Sequence, residues 1–277
     1  MAPGSTLEER RRRYAETVLR AAHVDDPRIA RVFATIPRES FLPPGPWTTI
    51  SAGIATTTPD ADPVHLYDNV LIALDREKGI NNGEPALHAA WLALVDPQPG
   101  ETAVHVGTGT GYYTAMLAAL VSPGGRVEAY EIHEGLAAAA ARNLAGFGNV
   151  AVHAGSALAR PLPPADVVYV NAGVAAPDAA WLRALAPGGR MIFPWQSLSN
   201  WGHTVLVLRR GGGYAARIGM SVGFINCEGQ DRLIPKGRLT DSAILATRSL
   251  WLSAEHAPDE TATAVFDHVW FSSREIA

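Results

Sequence analysis

An α/β fold built on a doubly wound, mostly parallel sheet is predicted, and three observations predict it. Short apolar strands alternate with helices from about residue 83 to residue 193. The strands are continuous apolar runs rather than alternating ones, as expected where a sheet is covered on both faces. Beyond them the rhythm breaks: two strands joined by Arg209-Arg210-Gly211-Gly212-Gly213 read as a hairpin.

The elements follow in order. Thr6-Leu7-Glu8-Glu9 has the spacing of a capping box and opens a helix running to about Ala22. Arg10 to Arg13, inside that helix, read either as a solvated face or as a phosphate-binding patch. A second helix includes Ile29 to Ile36 and stops at Pro37. Phe41 to Pro63, rich in Pro, Gly and Thr, reads as ordered but irregular. Gly83-Glu84-Pro85 then precedes a helix over Ala86 to Val95, with proline where its missing N–H costs nothing. Strands are expected at Thr102–Val106, Arg126–Glu131, Val150–His153, Asp166–Val170, Met191–Phe193, Thr204–Leu208 and Tyr214–Ile218. Helices over Tyr112–Val121, Glu134–Leu144 and Ala179–Leu185 lie between them. The result is a Rossmann-like sheet of seven strands ending in an antiparallel hairpin. Residues 1–80 form an N-terminal helical cap, too short to bury a core of their own. After Cys227, Ser249–Ser253 and Thr263–Phe271 look like further strands of a C-terminal extension without an assigned place.

Composition narrows the function classes. Of 277 residues, 47% are apolar and 18% charged, the balance of a globular protein. The formal net charge of −4 lacks the basic excess of a chain that neutralises phosphates, so no nucleic-acid partner is expected. Cys227 is the single cysteine, which rules out an intrachain disulfide, and its neighbours Phe224 and Ile225 suggest a buried, inert thiol. No run of about 18 apolar residues exists and the N-terminus is charged, so no membrane partner and a cytoplasmic address are expected. His, Asp and Glu do not cluster at metal-ligand spacing, so no metal is expected. The oligomeric state is not legible.

The strongest local signal is Val106-Gly107-Thr108-Gly109-Thr110-Gly111-Tyr112, which follows a strand and opens a helix. Glycines allow the backbone to approach a ligand without Cβ clashes. The spacing is GxGxG, whereas a dinucleotide pyrophosphate loop prefers GxGxxG. That points to S-adenosylmethionine, which brings no phosphate and needs room for an amino acid and a ribose. Glu131 ends the next strand, where an acid can accept both ribose hydroxyls; the alternative is a packing turn beside an incidental surface acid. Ser156, in His153-Ala154-Gly155-Ser156, falls where an adenine amino group is met, and its hydroxyl is a neutral, weaker acceptor than an Asp. His105 stands two before the glycines, where an acid is usual, and reads also as a satisfied buried histidine. Tyr112 is expected to pack over the amino-acid end of the cofactor. Asn171, at the end of Val167-Val168-Tyr169-Val170, points to the sheet edge where open α/β folds bind ligands, and is a candidate for acceptor or cofactor.

From about Ile29 to Cys227 the chain resembles the protein-L-isoaspartate (D-aspartate) O-methyltransferases, a family of class I S-adenosylmethionine-dependent methyltransferases. The resemblance rests on Ile36-Pro37-Arg38-Glu39-Ser40-Phe41, Tyr67-Asp68, Glu84-Pro85-Ala86-Leu87-His88-Ala89, Gly107 to Tyr112 and Leu185-Ala186-Pro187-Gly188-Gly189-Arg190, in that order. It implies a methyltransferase domain over residues 81–227, a substrate loop within 1–80, and an extension over 228–277. In that family a Thr/Ser-Ile-Ser-x-Pro segment precedes the helix, and its second hydroxyl residue helps hold the isoaspartyl substrate. Here the segment reads Asn81-Asn82-Gly83-Glu84-Pro85, so Gly83 stands where the serine is expected. Asn81, Asn82, Gly83 and Tyr67 are the candidate acceptor contacts, and the acceptor is a carboxylate of a peptide, a protein or a small acid. A carboxylate of pKa about 4 is ionised at neutral pH and needs no base. An amine or hydroxyl of a small metabolite would need one, and Glu84 and His88, four apart on a helix, are the candidates. Equally, Glu84 caps the helix and His88 packs. A cofactor-binding module without activity is a third reading. His65 and Asp75 flank the loop and read as surface residues.

Overall fold

The computed structural model describes residues 6–196, 201–230, 233–237 and 239–276. In chain order the elements begin with helices α1 (Leu7–Ala22) and α2 (Pro27–Thr35), then strands β1 (Thr48–Ser51), β2 (Ile54–Thr57), β3 (Leu71–Asp75) and β4 (Ile80–Asn81). Helix α3 (Pro85–Val95) leads into β5 (Thr102–Val106), α4 (Tyr112–Leu120), β6 (Arg126–Glu131), α5 (Glu134–Asn143) and β7 (Val150–Ala154). Next come β8 (Ala165–Val170), α6 (Ala179–Ala184), β9 (Leu185–Trp195), β10 (Gly202–Arg210) and β11 (Gly213–Val222). The chain ends with α7 (Asp241–Ala246), β12 (Ser249–Leu252), β13 (Ala262–Val265) and β14 (Val269–Ser272). Two compact units interleave along it: residues 1–100 with 108–154, and residues 101–107 with 155–277.

In the first unit the expected capping box forms: the Thr6 hydroxyl accepts from Glu9 N–H, and Glu9 returns the bond to Thr6 N–H at 2.9 Å. Asp26 caps α2, accepting from Arg28 N–H at 2.7 Å, with Pro27 in the first turn. The segment over Phe41 to Pro63, expected to be irregular, carries β1 and β2 instead. They form a two-residue hairpin in which Ser51 faces Ile54, and Ala52 and Gly53 both take positive φ. A two-residue hairpin needs that conformation, and Ala-Gly signals it far more weakly than Asn-Gly. With β3 and β4 they make a four-stranded sheet in the order β2-β1-β3-β4. The parallel pair β6–β7 runs from Val127 facing Val150 to Glu131 facing Ala154.

In the second unit β5, β8 and β9 pair in parallel, with Val104 opposite Val168 and Val168 opposite Met191. From β9 onward the pairings are antiparallel: β9–β10, β10–β11, β11–β12, β12–β14 and β14–β13. The β10–β11 hairpin is the expected one. Within this unit the sheet is mixed and has eight strands, β5 and β8 to β14, so the expected seven mostly parallel strands do not describe it, and the tail supplies β12, β13 and β14. Aromatic side chains hold that tail: Phe271 stacks on Trp195 at 3.9 Å, and Trp270 and Phe271 are buried. Cys227, expected to be buried, is half-buried, because its neighbours Asn226 and Glu228 lie at the surface, while its N–H donates to Gly173 C=O. Among the described residues no helix is long and apolar enough to cross a membrane.

Asp178 caps α6 by accepting from Ala180 N–H at 2.7 Å, and its second oxygen accepts from Ala159 N–H at 3.1 Å. Asp178→Ala is therefore expected to cost about 1–2 kcal/mol, the upper range of a lost cap. A denaturant midpoint identical to the parent's would contradict that role.

Candidate active site

In the first unit the glycine turn and Glu131 meet. Glu131 ends β6 and is 5% exposed. One carboxylate oxygen accepts from Gly109 N–H at 2.7 Å, the other from His133 N–H at 3.0 Å. Burial raises the pKa of this carboxyl above its ordinary value, and the His133 and Gly109 amides work against the shift. Each oxygen retains a further lone-pair site, so a diol can donate to a carboxylate already aligned by the backbone. Thr108 N–H donates to Tyr130 C=O at 3.2 Å, and its buried hydroxyl has no hydrogen-bond partner. An orphaned buried hydroxyl is costly unless something completes it. Gly111 is the N-cap of α4, where no side chain caps the helix. Tyr112 is 2% exposed and packs at 5.7 Å from Phe41, so it belongs to the aromatic interior of this unit.

The second unit contributes the start of the turn. Gly107 has φ +78°, and a Cβ there would lie 2.9 Å from the Asn171 carbonyl oxygen. Only glycine permits both the conformation and the approach. Asn171 follows β8, its N–H donating to Val106 C=O at 2.8 Å, and it is half-buried. The Ser156 hydroxyl accepts from Leu158 N–H at 3.1 Å, which shapes the loop after Gly155. His105 is fully buried, edge-on to Tyr169 at 5.4 Å. Desolvation lowers its pKa to about 3, so the ring is neutral, as a packed histidine is.

The candidate acceptor residues lie together in the first unit. The Asn81 side chain accepts from Gly83 N–H at 2.9 Å. Asn82 is nine-tenths buried; its Oδ1 accepts from Ile72 N–H at 2.9 Å and from Arg38 Nη2 at 3.3 Å, while its Nδ2 has no partner. Tyr67 donates its hydroxyl to Glu39, and burial with that carboxylate holds the phenol protonated. Glu84 and His88 part company. Glu84 is exposed at the helix start, accepting from Asn69 Nδ2 at 2.8 Å, whereas His88 is fully buried and stacks on Tyr113 at 3.6 Å. Asn69 also accepts from Ala86 N–H at 2.8 Å, and so supplies the cap that the Glu84 side chain does not. His65 pairs with Asp60 at 2.9 Å, and Asp75 accepts two turn N–H groups.

Three residues that the sequence reading passed over hold the candidate residues in place. Arg38 is wholly buried, donating to the carbonyls of Leu66, Asp68 and Val70 and to Asn82, and so clamps the loop that carries Tyr67 and Asn82. Its place in Ile36-Pro37-Arg38-Glu39 was the available signal, since a charge amid apolar residues demands buried partners. Asn69 and Tyr113, whose hydroxyl donates to Gly83 C=O at 3.2 Å, had no local signal.

In one unit a glycine turn is bound through its amide by the acid ending β6, and in the other a parallel sheet gives way to an antiparallel hairpin; these are features of a class I methyltransferase fold. A solved protein-L-isoaspartate O-methyltransferase superposes with a TM-score of 0.66 at 25% identity, covering 87% of this chain and 73% of its own. A second solved structure, from Plasmodium falciparum and in complex with S-adenosyl-L-homocysteine, shares the fold at a TM-score of 0.63 and 17% identity, covering 78% of this chain and 97% of its own. The sequence model of the protein-L-isoaspartate (D-aspartate) O-methyltransferase family matches residues 14–231, and the chain belongs to that family. The family's Aeropyrum pernix member is 35% identical over 195 residues, covering 67% of this chain and 66% of its own length. The member from Koribacter versatilis is 34% identical over 188 residues, 66% of this chain and 75% of its own.

Proposed function

We propose that the chain transfers the methyl group of S-adenosylmethionine to a carboxylate of a protein or peptide, with the isoaspartyl carboxylate as the acceptor class. One observation carries the reading: a buried carboxylate fastened to the glycine turn, beside a buried hydroxyl that lacks a partner. S-adenosylmethionine supplies, when bound, a methyl group activated by a sulfonium. Glu131 would take the ribose hydroxyls. Thr108 and the glycine turn Gly107, Gly109 and Gly111 would hold the amino-acid end, with Tyr112 packed behind them. Ser156 and Asn171 would meet the adenine side, Ser156 through the acceptor site of its hydroxyl that Leu158 N–H leaves open. The residues fit the group.

The acceptor side rests on Asn82, whose buried Nδ2 is a donor suited to a carboxylate oxygen. Asn81 and Gly83 shape the loop beside it, and Tyr67 with Glu39 closes the other flank. A carboxylate acceptor arrives ionised, so neither Glu84 nor His88 has to move a proton, and catalysis consists of alignment and exclusion of water. The named relatives favour a protein carboxylate over a small metabolite or a silent cofactor-binding module.

The test is methyl transfer from labelled S-adenosylmethionine to an isoaspartyl peptide. Label released at mildly alkaline pH is expected, because a carboxyl methyl ester hydrolyses there. A base-stable product would reject the carboxylate acceptor, and absence of S-adenosylhomocysteine binding would reject the cofactor.

A further inference from the structure

The second unit holds a groove of about 920 Å³ along the start of β9 and the flank of α6, and neither the glycine turn nor Asn171 lines it. Its floor and walls are apolar: Leu158, Leu162, Leu185 and Leu233. Among the described residues, the arginines Arg160, Arg183 and Arg209 and the carboxylate Asp178 border it. Both oxygens of that carboxylate already accept from backbone, one from the Ala180 amide and the other from the Ala159 amide. Arg209 donates to the Leu185 carbonyl, which fixes its guanidinium against one wall. Arg183 stands 3.6 Å from Glu255, both half-exposed, a loose surface pair that a better-placed anion can displace.

We infer that this groove binds a small organic anion with an apolar body, a free aliphatic or aromatic carboxylic acid, apart from the methyl-transfer site. The volume is that of a single small-molecule pocket, which typically spans about 300–1,000 Å³. The apolar walls take the body of such a ligand, and the arginines, forked donors matched to carboxylate geometry, take its head. A carboxylate head pairs with the guanidinium of Arg183 or Arg209 by charge as well as by hydrogen bonds, which a cation cannot do and an alcohol does only weakly.

Isothermal titration of octanoate, octanol and octyltrimethylammonium into the full chain tests the site. Octanoate is expected to saturate one site per chain, at least about tenfold more tightly than either analogue, the effect of one well-placed charged pair. The double variant Arg160→Gln/Arg183→Gln, both exposed positions, is expected to lose a similar factor. Leu162→Asp should abolish binding, and saturating S-adenosylhomocysteine should leave the octanoate affinity unchanged. Absence of saturable binding, equal affinity for the three probes, insensitivity to the variants, or displacement by S-adenosylhomocysteine would each overturn the assignment. Since cofactor binding is measured in its own titration, failure here leaves the methyltransferase reading intact.

Discussion

Glu131→Ala is expected to weaken S-adenosylhomocysteine binding by about a hundredfold, the effect of losing two hydrogen bonds to a charged acceptor at about 1.5 kcal/mol each. The substitution removes more than ligand contacts. The Gly109 and His133 amides lose their acceptor, so the turn proposed to receive the cofactor loosens at the same time. Glu131→Gln separates the two effects, since an amide oxygen can hold only part of this network and carries no charge. The pH dependence follows from the raised pKa of the buried carboxyl. A diol donates to the ionised form, so binding favours ionisation and lowers that pKa. Affinity should therefore be flat at neutral pH and fall as the pH drops through the raised value of the free protein. In Glu131→Gln this acid limb should vanish. Titration calorimetry across pH reads both effects. An unchanged affinity in the alanine variant would place the ribose elsewhere.

The elements of the parallel core were legible because each carries its own local physics. Thr6 and Glu9 announce a helix start, Val104 to Val106 a buried strand, and Gly107 to Gly111 a turn free of side chains. Local signals of this kind survive without knowledge of the rest of the chain. What escaped depended on partners distant in sequence. Ser249 to Leu252 reads as a strand, yet nothing local says that it adds to β11 or that Phe271 will stack on Trp195. Ala52-Gly53 forms a hairpin through backbone conformations that alanine rarely takes. The site divides in the same way. Glu131 was readable from its place at a strand end, whereas the Arg38 clamp joins residues about thirty positions apart, and only the folded loop reveals it. Glu84 and His88 share a helical spacing of four, which suggested a pair. Because the helix starts between them, Glu84 lies at the exposed cap and His88 in the interior.

Restoring the family hydroxyl by Gly83→Ser is expected to destabilise the protein by about 3 kcal/mol, from left-handed strain together with overpacking, and not to increase methyl transfer to an isoaspartyl peptide. Gly83 has φ +80°, where a side chain is strained whatever the space. The space is also taken: a Cβ there would stand 2.3 Å from His88 Nε2 and 3.2 Å from Tyr113 Cε2. The imidazole cannot swing aside cheaply, because it is fully buried, stacked on Tyr113 and edge-on to Trp91 at 6.2 Å. The histidine therefore occupies the volume in which a residue-83 side chain would begin, and the missing hydroxyl and the buried ring are one structural choice. A double-mutant cycle tests that coupling. In a His88→Ala background, Gly83→Ser should cost only the backbone strain, about 1 kcal/mol, so the two changes should be non-additive by about 2 kcal/mol. Urea unfolding of the four proteins measures it. Strictly additive costs would mean that the ring yields freely, and the acceptor loop would then tolerate a serine that its present conformation excludes.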